Sequence, residues 1–599
     1  MMLNAALRRG ETKGGDPMNK RAATLMLALL FLLVTAGAQA MTPGTYEAQA
    51  NGNGGPVTVA VTVTEDAIQA VEVLSHSETA GISDPALERI PAAIVEGQTL
   101  AVEAVTGATM TSNAILSAAE QALAAAGADV EALKEAAPAV QEAGETIEMT
   151  ADVVVVGAGG AGVAAAVEAA DSGAQVILLE KLSQIGGTTA TSQGLVGGYE
   201  SQFTKALDVH YTFDEMYENL MSNASYRLDP ELTTITVERS GETIDWMANR
   251  LNMPFSDEVA VGYGPLQMMH QVEGAGAAIR TAMEAALETT SVELMLETRG
   301  EALLMNEDGS VKGVQASQGA DTLLIYAGSV VIATGGYSYN PELTVRLDPE
   351  KAGVMAIGFP GATGDGLIMA SNAGAALTHT GDMMCVLKDY EIMAEHQGTS
   401  ATANVSSFIS RPNTVLVGID GKRFVDEKDI GYMTQKLNSP IFDQMHKDGV
   451  GYVWAISDQA SLEAQGVKRG LDMEFITADT FEALAELMGV DPAALTQTLT
   501  DYNAYCDAGH DPEFGRLSLA KLEAPYCAVR VTPCEIITYG GIARNQEGQV
   551  IRADGTVIPG LYTAGEASAN SAYMGFTISN AFTWGRIAGS GAAAYALSK

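Results

Sequence analysis

The sequence predicts an α/β protein: a parallel sheet wound with helices forms the main part, and a smaller α/β unit precedes it. From Asp152 onward the chain follows the order strand, Gly-rich turn, helix, strand, which is typical of a parallel βαβ unit. Residues 41–126 alternate apolar and polar side chains early, as in Val57–Val63, and then follow a helical pattern from Ser112. The 599 residues are enough for about three or four compact units.

The composition excludes several classes of function. Lys and Arg number 33 against 74 Asp and Glu, which gives a formal charge of −41. A nucleic-acid-binding protein needs a basic surface, so no nucleic-acid partner is expected. The four cysteines contain no C-x-x-C pair, and the seven histidines are scattered along the chain. We therefore expect no metal site.

The N-terminus has the features of a secretory signal peptide. Met18 is the better start, because a short basic segment follows it, then the apolar run Ala22–Ala36, then Ala38-Gln39-Ala40 as a cleavage site. Residues 1–40 are therefore predicted to be removed. The mature protein is then secreted and extracytoplasmic. Residues 127–149, rich in Ala, Glu and Gly, are predicted to be a linker.

A dinucleotide-binding loop opens the larger unit. The apolar strand Asp152–Val156 leads into Gly157-Ala158-Gly159-Gly160-Ala161-Gly162, a G-x-G-x-x-G motif. A helix and a second strand, Val176–Leu179, follow, and Glu180 ends that strand 23 residues after Gly157. Such glycines let backbone N–H groups approach a pyrophosphate, and the acidic residue can bind ribose hydroxyls. The arrangement predicts a dinucleotide cofactor.

Three further motifs indicate which dinucleotide it is. They are Ile185-Gly186-Gly187-Thr188-Thr189-Ala190-Thr191-Ser192-Gln193-Gly194, Val330–Gly336, and Gly560-Leu561-Tyr562-Thr563-Ala564-Gly565-Glu566. Together with the loop they resemble the FAD-binding fumarate reductase/succinate dehydrogenase flavoprotein family, which includes urocanate reductases and 3-ketosteroid dehydrogenases. The resemblance covers roughly Ala151 to Lys599.

The resemblance implies a Rossmann-like FAD-binding domain over residues 151–381 and 532–599, with an inserted α+β cap domain over residues 382–531. It implies non-covalent FAD, because Thr188 and Thr189 stand where covalent members place a His. The residues expected to bind FAD are Gly157, Gly159, Gly160, Gly162, Glu180, Lys181, Gly186, Gly187, Thr188, Ser192, Gly194, Ala333, Thr334, Gly335, Asp365, Gly565, Glu566 and Ser579. The helix beginning near Ser571 is expected to direct its N-terminus at the flavin.

The small unit, residues 41–126, resembles the FMN-binding domain through Thr106-Gly107-Ala108-Thr109. In that family a flavin transferase outside the cytoplasm esterifies a Thr with FMN phosphate, which implies covalent FMN on Thr109. Thr111 is the alternative attachment site. A Thr at a helix start can also act only as a cap.

The two modules together predict an electron path. The chain contains no haem-attachment motif and no second strand–G-x-G-x-x-G unit for a nicotinamide cofactor. We therefore expect electrons to come from an external, membrane-derived donor and to pass through FMN to FAD. Export and two flavins suggest anaerobic respiration on an external acceptor.

The substrate site departs from the fumarate-reducing branch. After Gly421-Lys422-Arg423-Phe424-Val425-Asp426-Glu427, Gly431 or Tyr432 stands where that branch has an acid Arg, and Ser571–Phe576 replaces its N-R-L-G-G carboxylate clamp. A dicarboxylate needs charged partners, so fumarate is disfavoured. The expected catalytic residues are Tyr432, Tyr539 and Tyr573, with Arg411 as a group that could hold one carboxylate.

These inferences predict an FAD- and FMN-dependent oxidoreductase that reduces the activated C=C bond of an α,β-unsaturated acid or enone. Two alternatives remain open at this stage. One is a flavin dehydrogenase of the ketosteroid type that works in the oxidising direction. The other is a non-catalytic electron shuttle. An enclosed aromatic cleft would argue against the shuttle, because a shuttle needs exposed flavin edges.

Overall fold

The computed structural model describes most of the chain after the predicted signal peptide. The described residues are 41–52, 54–78, 83–105, 108–135, 144–395, 411–427, 438–464, 475–568 and 570–599. The predicted signal peptide and Tyr432 lie outside them. Within these ranges no helix is both long and apolar enough to cross a membrane.

The N-terminal module is a small antiparallel sheet covered by helices. Its strands are Gly44–Asn51, Pro56–Val63 and Ile68–Ser75, and its helices are Asp84–Gly97, Thr109–Ala125 and Val130–Glu135. The middle strand pairs with both neighbours, and Val57, Val59, Val61 and Val63 are buried against the helices. The alternation in the sequence therefore forms the core of this module. The third helix lies inside the predicted linker.

A second, eight-stranded sheet forms the centre of the main domain. Its parallel strands are Thr146–Val156, Val176–Leu179, Glu293–Met295, Asp321–Ile332 and Val557–Thr563, and the antiparallel ones are Thr298–Met305, Val311–Gln318 and Gln549–Ile551. Both faces of the first strand are covered, because Val153 and Val155 belong to one core cluster and Val154 and Val156 to another. This is the predicted doubly covered parallel sheet.

Helices Gly160–Asp171, Ala275–Glu288 and Thr577–Leu597 cover one face of this sheet. The first and last of them cross at small residues. A Cβ atom on Gly585 would lie 2.3 Å from the Ala161 carbonyl oxygen, and one on Gly589 would lie 2.3 Å from that of Ala165. The C-terminal helix therefore packs directly against the backbone of the helix that follows the Gly-rich loop.

A lobe between the second and third parallel strands adds a three-stranded sheet, with strands Leu195–Gly197, Phe255–Val261 and Gln267–Val272, and helices Gln202–Ala206, Phe213–Asn223 and Pro230–Arg250. The longest helix begins where the sequence favours it. Asp229 caps it by accepting a hydrogen bond from the Leu232 N–H, and Pro230 occupies the first helical position.

The cap has a six-stranded sheet with strands Met355–Ala356, Met383–Asp389, Val415–Val417, Val453–Asp458, Ile476–Ala478 and Tyr526–Thr538. Its helices include Tyr390–Glu395, Asn438–Asp448, Gln459–Ala464, Phe481–Met488 and Pro492–Ala508. The predicted boundary between residues 531 and 532 falls inside the last strand. That strand continues unbroken from the cap to Thr538 at the edge of the main domain.

A buried ion network holds the cap together. Arg423 donates to both Glu427 oxygens at 3.0 and 2.9 Å and to Asp511 at 3.0 Å. Arg516 donates to Glu427 at 2.8 Å, and the Arg423 and Glu427 side chains are fully buried. Each charge has an opposite partner, as buried ions require. Arg423 is therefore committed to the cap interior.

The helix crossing yields a stability prediction. Gly589→Ala should destabilise the protein by about 1–3 kcal/mol, because the new methyl group is forced onto the Ala165 carbonyl. The higher helix propensity of Ala alone would raise the stability by about 1 kcal/mol. A net loss of stability would therefore show that the steric clash at the helix crossing outweighs the gain in propensity. The exposed Ser590→Ala on the same helix is the control. Denaturant unfolding measures both, and an unchanged or raised stability in Gly589→Ala would contradict the tight crossing.

Candidate functional site

A cavity at the carboxyl edge of the parallel strands contains about 1160 Å³ of empty space, which includes the solvent at its open mouth. Val156 and Ile332 end adjacent strands, and Ala333 donates its N–H to the Val156 carbonyl at 2.9 Å. The segment after strand Val557–Thr563 joins them, because Ala564 donates to the Ile332 carbonyl at 3.1 Å. Cofactors bind at this edge of open α/β sheets. Three motifs distant in sequence thus meet in one wall.

Fourteen of the residues predicted to bind FAD line this cavity. They are Gly157, Gly159, Gly160, Glu180, Lys181, Gly187, Thr188, Ser192, Ala333, Thr334, Gly335, Asp365, Gly565 and Glu566. The other four lie behind the wall. Gly162, Gly186 and Gly194 allow close backbone packing there, and Ser579 is buried with its hydroxyl donating to the Phe576 carbonyl.

The three glycines of the loop have separate functions. Gly157 has φ +99°, which favours glycine. A Cβ atom on Gly159 would meet no protein atom nearer than the Gly186 carbonyl, at 3.9 Å, so this position is open toward the cavity. A Cβ atom on Gly162 would lie 1.8 Å from the Gly157 carbonyl. The helix that starts at Gly160 therefore directs its N-terminus at the cavity, which Gly159, Gly160 and Ala161 line, as pyrophosphate binding requires.

Acidic and basic side chains form one end of the cavity. Glu180 accepts hydrogen bonds from the Ala158 and Leu182 N–H groups, each at 2.9 Å. Lys181 Nζ contacts Asp365 at 2.7 Å, and Arg299 contacts the same carboxylate at 2.9 Å. Burial opposes ionisation of Asp365, but these two cations outweigh it and lower its pKa. This end is therefore polar and rigid, which suits the ribose of a dinucleotide.

Glu566 occupies a more enclosed part of the wall. It accepts a hydrogen bond from the Thr538 N–H at 3.0 Å, and burial raises its pKa to about 7. Elsewhere in the wall, beside Gly366, the Thr334 hydroxyl is buried and has no hydrogen-bond partner among the described residues. A ligand with hydroxyl or amide groups can supply that partner. The described lining residues include no His or Cys, so none of them is the usual residue for a covalent flavin bond.

The C-terminal helix begins later than the sequence suggested. The expected start near Ser571 is wrong, because the helix spans Thr577–Leu597. The residues before it make a turn, in which Phe576 donates its N–H to the Tyr573 carbonyl at 2.9 Å. The helix N-terminus still reaches the cavity, since Thr577, Ile578 and Asn580 line it.

Sequence reasoning missed several lining residues. Thr298, Arg299, Phe359, Gly361, Ile537, Thr538, Ala572 and Asn580 belong to the wall but to none of the glycine motifs. Only Arg299 carries a charge, and its place in the sequence does not connect it with Glu180 or Asp365. The other residues line the cavity only because the folded chain brings several strand ends and turns to this wall.

The predicted tyrosines have different positions. Tyr539 lines the cavity, and its ring lies 5.0 Å from the ring of Tyr573, centroid to centroid. Both belong to a buried cluster, here called the Tyr539 cluster, of Met216, Leu220, Met221, Ala224, Leu228, Val237, Met268, Met269, Tyr539, Tyr573 and Phe576. Burial raises the pKa of Tyr539 far above its usual value. The structure thus brings Tyr539, Tyr573 and Phe576 together, and Tyr539 faces the cavity.

The predicted Arg411 lies in the cap. Its backbone carbonyl accepts a hydrogen bond from Arg516 at 2.8 Å, and its side chain is not among those lining the cavity. Tyr432 lies outside the described residues. Roles for both in catalysis stay predictions.

The two candidate sites for FMN attachment differ in exposure. Thr109 is exposed as the first residue of the helix Thr109–Ala125. Thr111 is 3% exposed, and its hydroxyl donates to Glu78. A phosphodiester on Thr109 would lie at the positive end of a 17-residue helix, whereas the Thr111 hydroxyl is already in use.

Comparisons with known proteins agree with this geometry. A family model described as "FAD binding domain" matches residues 152–577, and one described as "FMN-binding domain" matches residues 52–124. The chain belongs to this family of FAD-dependent flavoproteins. Urocanate reductase from Eggerthella lenta is 30% identical over 583 residues, covering 94% of this chain and 93% of that one.

Two further matches extend the resemblance. Fumarate reductase (cytochrome) from Shewanella frigidimarina is 32% identical over 458 residues, which cover 74% of this chain and 77% of that one. The solved open conformation of a flavocytochrome c3 fumarate reductase has a TM-score of 0.61 at 29% identity, covering 75% and 79% of the two chains. The predicted fold class, the flavoprotein family, the two flavin cofactors and the activity on CH–CH bonds are thus confirmed.

The flavoprotein's nucleotide loop yields a binding prediction. Gly159→Val should abolish FAD binding and leave the fold intact, because the added side chain meets no protein atom at its Cβ but fills the space open to the pyrophosphate. Ser172→Val, at the exposed far end of the same helix, is the control. Flavin absorbance and denaturant unfolding of both variants provide the measurement. Full FAD content in Gly159→Val would mean that the loop does not contact the cofactor.

Proposed function

We propose that this flavoprotein reduces the C=C bond of an aryl-conjugated α,β-unsaturated acid or an enone. The observation that carries this is the wall around Tyr539: Tyr539 and Ile537 line the flavin cavity, and the other aromatic and methionine side chains of the Tyr539 cluster pack behind them. Apolar, planar surfaces favour a flat conjugated substrate through burial of its ring.

The cations of the cavity support the exclusion of fumarate. Among the described residues that line it, only Lys181 and Arg299 are basic, and both are bound to Asp365. Arg423 is fully buried in the ion network of the cap. A dicarboxylate held against the Tyr539 cluster would leave negative charge uncompensated, which is costly.

The protein's own residues would bind the substrate, orient it and supply a proton. FAD, when bound, supplies a hydride to the β-carbon of the activated double bond. Tyr539 carries its phenolic proton at neutral pH, and its hydroxyl donates to the Met384 sulfur at 3.5 Å. In this proposal the hydroxyl gives up that weak contact and donates its proton to the α-carbon. Tyr573 lies against the Tyr539 ring and fixes its orientation.

The relatives support a reductive direction. They carry the names urocanate reductase and fumarate reductase. Urocanate is an acrylic acid conjugated to an aromatic ring, so its chemistry fits the proposed class. The ketosteroid-type oxidation remains the second candidate, favoured by the packed pair of Tyr539 and Tyr573, of which Tyr539 lines the cavity. The aromatic residues Phe359 and Tyr539 in the cavity wall argue against a non-catalytic shuttle.

We further propose that an external donor delivers electrons through FMN on Thr109. The helix Asp84–Gly97 of the N-terminal module contacts the main domain through an ion pair between Arg89 and Glu297. Glu297 directly precedes Thr298 and Arg299 of the cavity wall. This contact joins the N-terminal module to the segment that leads into the cavity wall. The proposal includes export from the cytoplasm, a flavin transferase that attaches FMN, and a membrane-derived donor.

The substrate prediction compares two acids directly. With reduced viologen as donor under anaerobic conditions, a cinnamate-like acid or an enone should be turned over, and fumarate hardly at all. Tyr539→Phe should lower turnover about 10²–10⁴-fold with a smaller effect on KM, if its proton is used. Tyr573→Phe keeps the ring contact and should cost much less.

Two results would contradict this assignment. Efficient fumarate reduction would mean that a basic residue outside the described lining binds the second carboxylate. Normal turnover in Tyr539→Phe together with a large loss in Tyr573→Phe would mean that Tyr573 donates the proton and that Tyr539 only positions it.

The FMN prediction compares the two threonines. In a host with a flavin transferase, Thr109→Ala should lose the FMN mass from its peptide and retain FAD, because the exposed hydroxyl is removed. Thr111→Val should retain the FMN mass, since that hydroxyl is buried on Glu78. Peptide mass spectrometry reads both. Loss of FMN only in Thr111→Val would place the tether at Thr111.

A further inference from the structure

Arg544 is a buried cation close behind the flavin cavity. It follows the short strand Gly541–Ile542 and is 4% exposed. Its guanidinium donates to the Ser568 backbone carbonyl, to the Ser568 hydroxyl at 2.6 Å and to the Ser571 hydroxyl at 2.7 Å. It also lies over the Trp584 ring, 3.8 Å from the ring centroid.

None of these partners is a carboxylate. Among the described residues no ion pair includes Arg544, and its Nε has no hydrogen-bond partner. Asp229 is the acidic residue that acts on it electrostatically, and that carboxylate caps a helix through the Leu232 N–H. Burial lowers the pKa of Arg544 to about 9. The side chain is therefore still positively charged at neutral pH, but without a counter-ion in contact.

A short chain of hydrogen bonds joins this cation to the cavity wall. Ser571, which accepts from Arg544, donates its hydroxyl to the Asn580 amide oxygen at 2.7 Å. Asn580 lines the cavity, as does Ala572 beside Ser571. One layer of neutral side chains thus separates the charge from the cofactor space.

A buried arginine without a carboxylate partner is unusual unless a bound ligand supplies the negative charge. A buried, unpaired cation costs stability, and proteins normally neutralise it. Arg586 shows the usual arrangement. It belongs to the helix Thr577–Leu597, whose Trp584 ring lies under Arg544, and it forms ion pairs with Glu168 at 2.7 Å and with Glu242 at 3.4 Å.

We propose that Arg544 is the electrostatic counter-charge for reduced FAD and raises the reduction potential of that flavin. Two electrons from the external donor and one proton from solvent convert the bound neutral flavin into a reduced form with one negative charge. Arg544 stabilises that charge through the Ser571–Asn580 layer and does not touch the reacting atoms, so it is a positioning residue. The inference rests on FAD in this cavity and does not depend on which substrate is reduced.

The expected size of the shift in the FAD reduction potential follows from Coulomb's law. Two unit charges about 12 Å apart at an effective dielectric constant of about 20 change an equilibrium constant about tenfold. For a two-electron couple, a tenfold change corresponds to about 30 mV. Removing the charge should therefore shift the FAD equilibrium with a reference dye about tenfold toward oxidised flavin.

The test is an anaerobic redox titration of the FAD-loaded protein against a dye of known potential. It is carried out in the Thr109→Ala background, so that FMN does not contribute to the signal. Arg544→Gln should lower the FAD potential by about 30 mV, whereas Arg544→Lys, which keeps the charge, should stay close to the parent protein. Arg586→Gln, which removes a paired cation from the C-terminal helix, should leave the potential unchanged.

Several results would overturn the proposal. An unchanged potential in Arg544→Gln would show that the charge does not reach the flavin. Equal shifts in Arg544→Gln and Arg544→Lys would assign the effect to the geometry of the serine contacts. Failure of Arg544→Gln to fold or to retain FAD, with a normal Arg544→Lys, would make Arg544 a structural residue. None of these readouts involves substrate, so they stand apart from the substrate assignment.

Discussion

The contact between the helices Gly160–Asp171 and Thr577–Leu597 is the constraint on which the flavin site depends. Residues more than 400 positions apart in the chain meet there because neither Gly585 nor Gly589 has a side chain. The close approach brings the starts of both helices to one cavity, so backbone N–H groups face the cofactor from two directions. A wider crossing would separate the Gly-rich loop from the wall residues Thr577 and Asn580.

Charge is distributed unevenly around that cavity, and the distribution fits a two-part ligand. The end near Glu180 holds an acid and the ion-paired Lys181, Asp365 and Arg299, so it matches a ribose and its phosphates. The end near Tyr539 is apolar and aromatic, as a flavin ring and a flat substrate require. The buried Arg544 lies beyond the wall, behind Asn580, and can add electrostatic stabilisation from there.

The cap is stabilised differently from the main domain. A fully buried ion network around Arg423 and Glu427 joins its sheet to the segment that carries Arg516. Strand Tyr526–Thr538 stays paired in this sheet to its last residue and ends at the cavity, so the cap and the flavin wall share one continuous strand. Movement of the cap would therefore be transmitted to Thr538 and Tyr539.

The sequence by itself determined the parts that depend on local pattern. The G-x-G-x-x-G loop, the acidic residue after the second strand and the alternating strand Pro56–Val63 are set by spacing, and they were predicted with the family and both flavins. Only the tertiary structure decided which residues share a wall. Thr538 and Asn580 carry no motif, Thr109 and Thr111 differ only in burial, and the isolation of Arg544 depends on which side chains do not reach it. Such properties arise from packing between distant segments, which no local spacing encodes.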